Sequence, residues 1–148
     1  MEISFAAEKT LGKLAKWLRI LGFDTIYDPD IKNPAESGRI LLTRTKRIKY
    51  ECTTDKLIFI KSDKPFKQLK EVIKALGIVN EDLKTFTRCI SCNTKIRTTD
   101  KNSIRSVVPD YVWENQDSFK ACSKCKRIYW QGSHTKRSME IIKKLFES

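Results

Sequence analysis

The chain has 148 residues, room for one ordinary domain or two small ones, and no apolar run near 18 residues that could span a membrane. Thirty Lys and Arg against 18 Asp and Glu give a net charge of +12. Cut at residue 80, the sequence carries 16 basic against 10 acidic residues before it and 14 against 8 after it, +6 on each side, so the charge is no detachable tail.

In chain order, Ile3–Ala7 reads as a short strand. Thr10–Leu21 reads as a helix, with Leu11, Leu14, Leu18 and Leu21 on one stripe and Gly22 as its stop. Thr25–Tyr27 is a second strand, and Arg39–Thr43 and Lys56–Ile60 are compact apolar runs of the buried parallel kind. Lys67–Leu76 is an amphipathic helix closed by Gly77. Strands alternating with helices predict an α/β fold, a small parallel sheet flanked by helices. A linker around Asn80–Lys84 leads to a second, cysteine-bearing region, and a final helix is expected over Lys136–Phe146.

That second region holds Cys89-Ile-Ser-Cys92 and Cys122-Ser-Lys-Cys125, two C-x-x-C pairs set 33 residues apart that use four of the five cysteines. A two-residue gap lets the backbone turn a tight knuckle with both sulfurs aimed at one tetrahedral centre. Two knuckles supply four thiolates, a closed shell that holds a fold together and has no open position for substrate. The 29 residues between the pairs exceed the roughly 15–20 usual for a zinc ribbon, which implies an insertion. Disulfides or redox pairs are the other reading. No secretory leader is apparent and a redox motif needs no second copy, so structural zinc is expected at Cys89, Cys92, Cys122 and Cys125. Cys52 reads as an ordinary thiol.

Charge spread over both halves favours a polyanion, through phosphate neutralisation and counterion release; a solvated lysine-rich surface is the plainer alternative. Lys9, Lys13 and Lys16 share one helix face opposite the leucine stripe, where they could follow a phosphate backbone or merely meet water. Lys124, Lys126 and Arg127 decorate the second knuckle beside Tyr129 and Trp130, a pairing that suits unstacked bases, although at least one of those aromatics is expected to pack inside the ribbon. Trp17 and Trp113 read as core or interface. His134, the single histidine, is read as a capping or packing residue, with Ser133 as an N-cap. Carboxylates fall where strands end: Glu8 after the first, Asp24 and Asp28 around the second, Asp63 after the fourth. Converging there, they could hold Mg²⁺ or Mn²⁺ and activate water against a phosphodiester.

The segment from Phe5 to Asp28, with its Leu11-Gly-Lys-Leu-Ala15 block, resembles the opening of the Mut7-C family of PIN-like RNase domains. Gly38-Arg-Ile-Leu-Leu-Thr-Arg44, Ile60-Lys-Ser-Asp63, Arg88-Cys-Ile-Ser-Cys92 and Cys122 through His134 continue the likeness. The resemblance implies a PIN-like domain at residues 1–80 and a four-cysteine zinc ribbon with a C-terminal helix at 85–148. It also implies a metal-dependent endoribonuclease using Glu8, Asp28 and Asp63, with Arg44 near the phosphate and Asp24 as an auxiliary. Two departures stand out. Glu8 replaces the family's usual Asp, and Thr45 replaces the Asp of its Thr-Arg-Asp run. The stretch between Asp28 and Gly38 is short and carries Pro29 and Pro34, implying that a family helix is missing there.

Two functions follow as expectations. One is a cytoplasmic RNA hydrolase with Zn²⁺ in the ribbon and Mg²⁺ or Mn²⁺ in the acidic site. The other is a catalytically degenerate RNA-binding protein, associated with rRNA, a ribosomal subunit or tRNA, in which the PIN fold is a scaffold.

Overall fold

The computed structural model describes residues 2–27, 38–51 and 56–147, so Asp28, the Pro29–Pro34 stretch and Cys52 lie outside the described residues. Residues 1–93 and 94–148 form two compact units.

The first unit is α/β. β1 (Ser4–Ala7), β2 (Asp24–Tyr27), β3 (Ile40–Thr43) and β4 (Leu57–Phe59) form a four-stranded parallel sheet in the order β2-β1-β3-β4. Phe5 pairs with Thr25 on one side and Ile40 on the other, and Leu42 pairs with Ile58. A 3₁₀ turn at Lys9–Leu11 leads into α1 (Gly12–Ile20), two residues later than the leucine stripe predicts. Leu11, Leu14, Leu18 and Leu21 are all essentially buried, each contributing roughly 1.5–3 kcal/mol. After α2 (Lys46–Glu51), a short basic helix that has no apolar stripe and gave no signal in the sequence, comes α3 (Pro65–Leu76). It packs against α1 through its own buried face of Leu69, Val72 and Ile73, and Gly77, at φ 64°, ends it in a left-handed cap.

The segment expected to be a linker is pinned instead. Lys84 N–H donates to Leu21 O and Phe86 N–H to Ile20 O, holding it on the end of α1. Gly22 permits this approach: its φ is +99°, and a Cβ there would come within 2.3 Å of Lys84 O.

The second unit contains an antiparallel sheet, β5 (Arg97–Thr99), β6 (Phe119–Ala121) and β7 (Ile128–Tyr129), in that order. The expected insertion lies between β5 and β6 and is itself structured. A 3₁₀ helix over Lys101–Val107 and α4 (Asp110–Asn115), with Val108 between them, supply Ile104, Val108 and Val112, which close with Phe119 into a small core. Trp113, Ile128 and Trp130 pack on its edge, so Trp130 is the aromatic that turns inward, meeting Phe119 edge-on at 6.3 Å. α5 (Ser133–Leu145) ends the chain and starts three residues earlier than predicted. Its N-cap is Gly132, with no side-chain cap bond, so Ser133 is the first helical residue and does not cap. His134 is exposed in the first turn.

Candidate metal centre and nucleic-acid interface

The two knuckles share one geometry. Asn93 N–H donates to Cys89 O at 2.8 Å, and Lys126 N–H donates to Cys122 O at 2.9 Å. The residue after each second cysteine is left-handed, Asn93 at φ 66° and Lys126 at φ 67°. Asparagine tolerates that region, whereas lysine adopts it at a cost, and the shared hydrogen bond explains why the chain accepts it. Cys125 N–H also points at Cys122 Sγ, at 3.5 Å. The four Sγ atoms of Cys89, Cys92, Cys122 and Cys125 lie within 4.8 Å of one another. Tetrahedral zinc, with bonds of about 2.3 Å, sets sulfurs about 3.8 Å apart, so this donor set could hold it. None of the four is in a disulfide.

Side chains distant in sequence support the first knuckle. Arg19, near the end of α1, donates to Ile90 O at 2.7 Å, Ser91 O at 3.3 Å and Thr25 O at 2.9 Å. Burial lowers the Arg19 pKa, and the nearby Cys89 and Cys92 thiolates oppose that shift. Arg88 donates to Gly22 O and Asn93 O. Asn93 accepts from Thr25 N–H at 2.9 Å and donates to Asp24 Oδ1 at 2.6 Å, where Arg39 also pairs at 2.8 Å. Burial raises the Asp24 pKa, but the bonds from Arg39 and Asn93 outweigh it and hold the carboxyl below its ordinary value. Sequence reasoning missed this network. Asn directly after the second cysteine was its one visible sign.

Glu8 begins the turn after β1, at the carboxyl end of the sheet, where open parallel sheets bind ligands. It is 2 % exposed. Its Oε2 accepts from Thr10 N–H at 3.0 Å; its Oε1 accepts from the Thr10 hydroxyl, Thr43 Oγ1 at 3.3 Å, Arg44 N–H at 3.2 Å and Thr45 Oγ1 at 3.2 Å. An ionised carboxylate can only accept, so all three hydroxyls donate, and five donors meet roughly four lone-pair sites. Burial alone would raise the Glu8 pKa; the bonds from Thr10, Arg44 and Thr45 more than reverse this and lower it. Thr45 is thus a donor to Glu8.

The surroundings of Asp24 and Asp63 differ from those of Glu8. Asp63 is exposed, four residues beyond β4. Asp28 lies outside the described residues. Asp24 pairs with Ser4 at the start of the parallel strands, the opposite end from Glu8, and is occupied by Arg39 and Asn93, so it is not an auxiliary at that site. Among the described residues the four cysteines alone form a candidate metal group of three or more ligands. The residues described therefore suit zinc at the cysteines.

The basic residues singled out by the sequence are exposed. Lys9, Lys13, Lys16 and Arg44 are exposed in the first unit, and Lys124, Lys126 and Arg127 in the second. Lys9 and Arg44 directly follow Glu8 and Thr43, so both occur at the carboxyl end of the sheet. α2 adds exposed Lys46, Arg47 and Lys49, with Tyr50 79 % exposed. Among the described residues no helix is long and apolar enough to cross a membrane.

Comparison with curated proteins and with solved structures returned no match. A family model described as the Mut7-C RNAse domain matches residues 3–142, nearly the whole length. The chain belongs to the Mut7-C RNAse domain family.

Proposed function

We propose that this protein binds RNA through the exposed Lys and Arg side chains at the carboxyl end of its parallel sheet, with Glu8 serving as a hydrogen-bonded anchor and not as a metal ligand. Family membership supports an RNase-type function and RNA as the partner. The saturation of Glu8 by Thr10, Thr43, Arg44 and Thr45 carries the anchor reading. The carboxylate ties the turn after β1 to the turn after β3, and a divalent ion would have to displace those donors without a second carboxylate at residue 45. Arg44, whose N–H is fixed by Glu8, is thereby held at the end of the sheet with its side chain exposed. The lysine-rich composition fits a cytoplasmic partner such as rRNA, a ribosomal subunit or tRNA.

A second reading is metal-dependent cleavage with Glu8, Asp28 and Asp63 as ligands, and the position of Glu8 at the carboxyl end of β1 favours it. One experiment separates the two. Single-stranded and structured RNA are incubated with the protein and Mn²⁺, with and without EDTA, while binding is followed as salt rises. The anchor reading expects salt-dependent retention and no EDTA-sensitive cleavage. Cleavage that EDTA stops, and that Glu8→Gln and Asp63→Asn abolish, would replace it with the nuclease. Retention indifferent to salt would remove phosphate recognition from both.

A further inference from the structure

The second unit contains an open groove of about 380 Å³ beside the second knuckle. Its floor is aliphatic: Ala121 and Ile128 are cross-strand neighbours on β6 and β7, and Arg97 pairs with Ala121 from β5, so all three share one face of the sheet. Ile104 and Val107 of the 3₁₀ helix form a side wall, and Val107 remains 66 % exposed at the lip. The second knuckle closes one end with Ser123 and Lys126. Both charged lining residues, Arg97 and Lys126, are cations, and among the described residues no carboxylate lines the groove. Lys126 is not free to drift. Its backbone is fixed at φ 67° by the hydrogen bond to Cys122 O.

We infer that this groove seats one unpaired nucleotide of a single-stranded RNA, its base on the aliphatic floor and its flanking phosphates at Arg97 and Lys126. The inference rests on the RNA-binding reading above and adds the site and the strand form. The volume falls in the range of small-ligand pockets. A base offers a flat, weakly polar face that an aliphatic floor can cover, and Thr99, on the same face of β5 as Arg97, and Ser123 belong to the lining, where polar base edges or ribose can meet them. Two cations without a neighbouring acid match the phosphates on either side of one nucleotide. A paired base in an A-form helix cannot enter, because its faces are already stacked.

The test uses the full, zinc-loaded chain and a fluorescein-labelled ten-nucleotide oligouridylate, followed by anisotropy across a salt series, with blunt duplex RNA in parallel. Arg97→Ala combined with Lys126→Gly removes both cations, and glycine suits the left-handed position. It should weaken oligouridylate binding about tenfold and flatten the salt slope by about 1.4, at about 0.7 for each phosphate no longer neutralised. Ala121→Leu fills the floor without changing charge. It should weaken oligouridylate binding about tenfold, leave the slope alone and leave duplex binding unchanged. Zinc content and circular dichroism matching the parent protein certify each variant; should Ala121→Leu fail there, Val107→Trp at the exposed lip makes the same comparison. If the parent protein binds neither RNA, the RNA-binding reading itself fails. If it binds and both variants bind equally well, the groove is not the site. Equal weakening on duplex with the floor-filling variant would overturn the seated base.

Discussion

Residues 1–93 and residues 94–148 hold their shapes by different means. The first unit buries four leucines around α1 together with Phe5, Leu41, Leu42, Leu69 and Val72. The second has a central cluster of Ile104, Val108, Val112 and Phe119 and a three-stranded sheet whose strands are two or three residues long. A unit of that size is only marginally stable on apolar burial alone. The knuckles differ likewise: Arg19 braces the first from α1, and its flanking Arg88 and Asn93 tie it to Gly22, Asp24 and Thr25, while the backbone bonds of Lys126 and Cys125 at the second stay within its own turn. Zinc bound at the four cysteines would thus be worth most to the region with least core.

Chelation puts this contrast under the greatest strain. Structural zinc sites bind with roughly 10–16 kcal/mol, more than a small ribbon's total stability. After zinc removal, hydrogen exchange should show residues 94–148 losing protection while β1, β3 and α1 keep theirs. Simultaneous loss throughout would mean that the first unit depends on the metal equally. Next in size, Gly22→Ala strikes the first unit where backbone meets backbone. A Cβ 2.3 Å from Lys84 O at φ +99° should cost about 2–4 kcal/mol in chemical denaturation, without altering zinc content.

Smaller is Glu8→Gln, which turns an acceptor-only group into one carrying an NH₂ among five donors and should cost about 1–3 kcal/mol at neutral pH. The folded pKa of Glu8 is lowered. Its contribution is therefore complete above the unfolded carboxyl value, about 4.3, and fades as pH falls through the folded value. The gap between Glu8→Gln and the parent protein should narrow below about pH 4. A gap independent of pH would show that the charge is not what matters. The smallest effect has the opposite sign. Lys126→Gly relieves a left-handed lysine and should stabilise the second unit by about 1 kcal/mol, seen in its melting temperature; Asn93→Gly, which also loses the bonds to Thr25 and Asp24, should destabilise the first.

Much of the frame could be read from the chain itself, because it depends on local pattern. The stripe Leu11, Leu14, Leu18 and Leu21 located α1, the apolar runs located β3 and β4, and two C-x-x-C spacings located the candidate metal centre. Elements without such patterns escaped: α2 is dominated by cations and tyrosine, and the insertion between β5 and β6 is too short and too irregular for any period to register. For the candidate site, position was legible and role was not. Glu8 was found as an acid after a strand, but its partners at Thr43, Arg44 and Thr45 are 35 to 37 residues away.

The amino-acid order alone determined which residues could ligate zinc, which helix faces are apolar, and that cations populate both halves; each depends on spacing within a few residues. Tertiary structure decided that Glu8 is sealed by donors, that Asp24 braces a knuckle at the far end of the sheet, and that Arg97 and Lys126 border one groove. Those outcomes depend on which distant segments meet, and a carboxylate's chemistry is set by the donors around it.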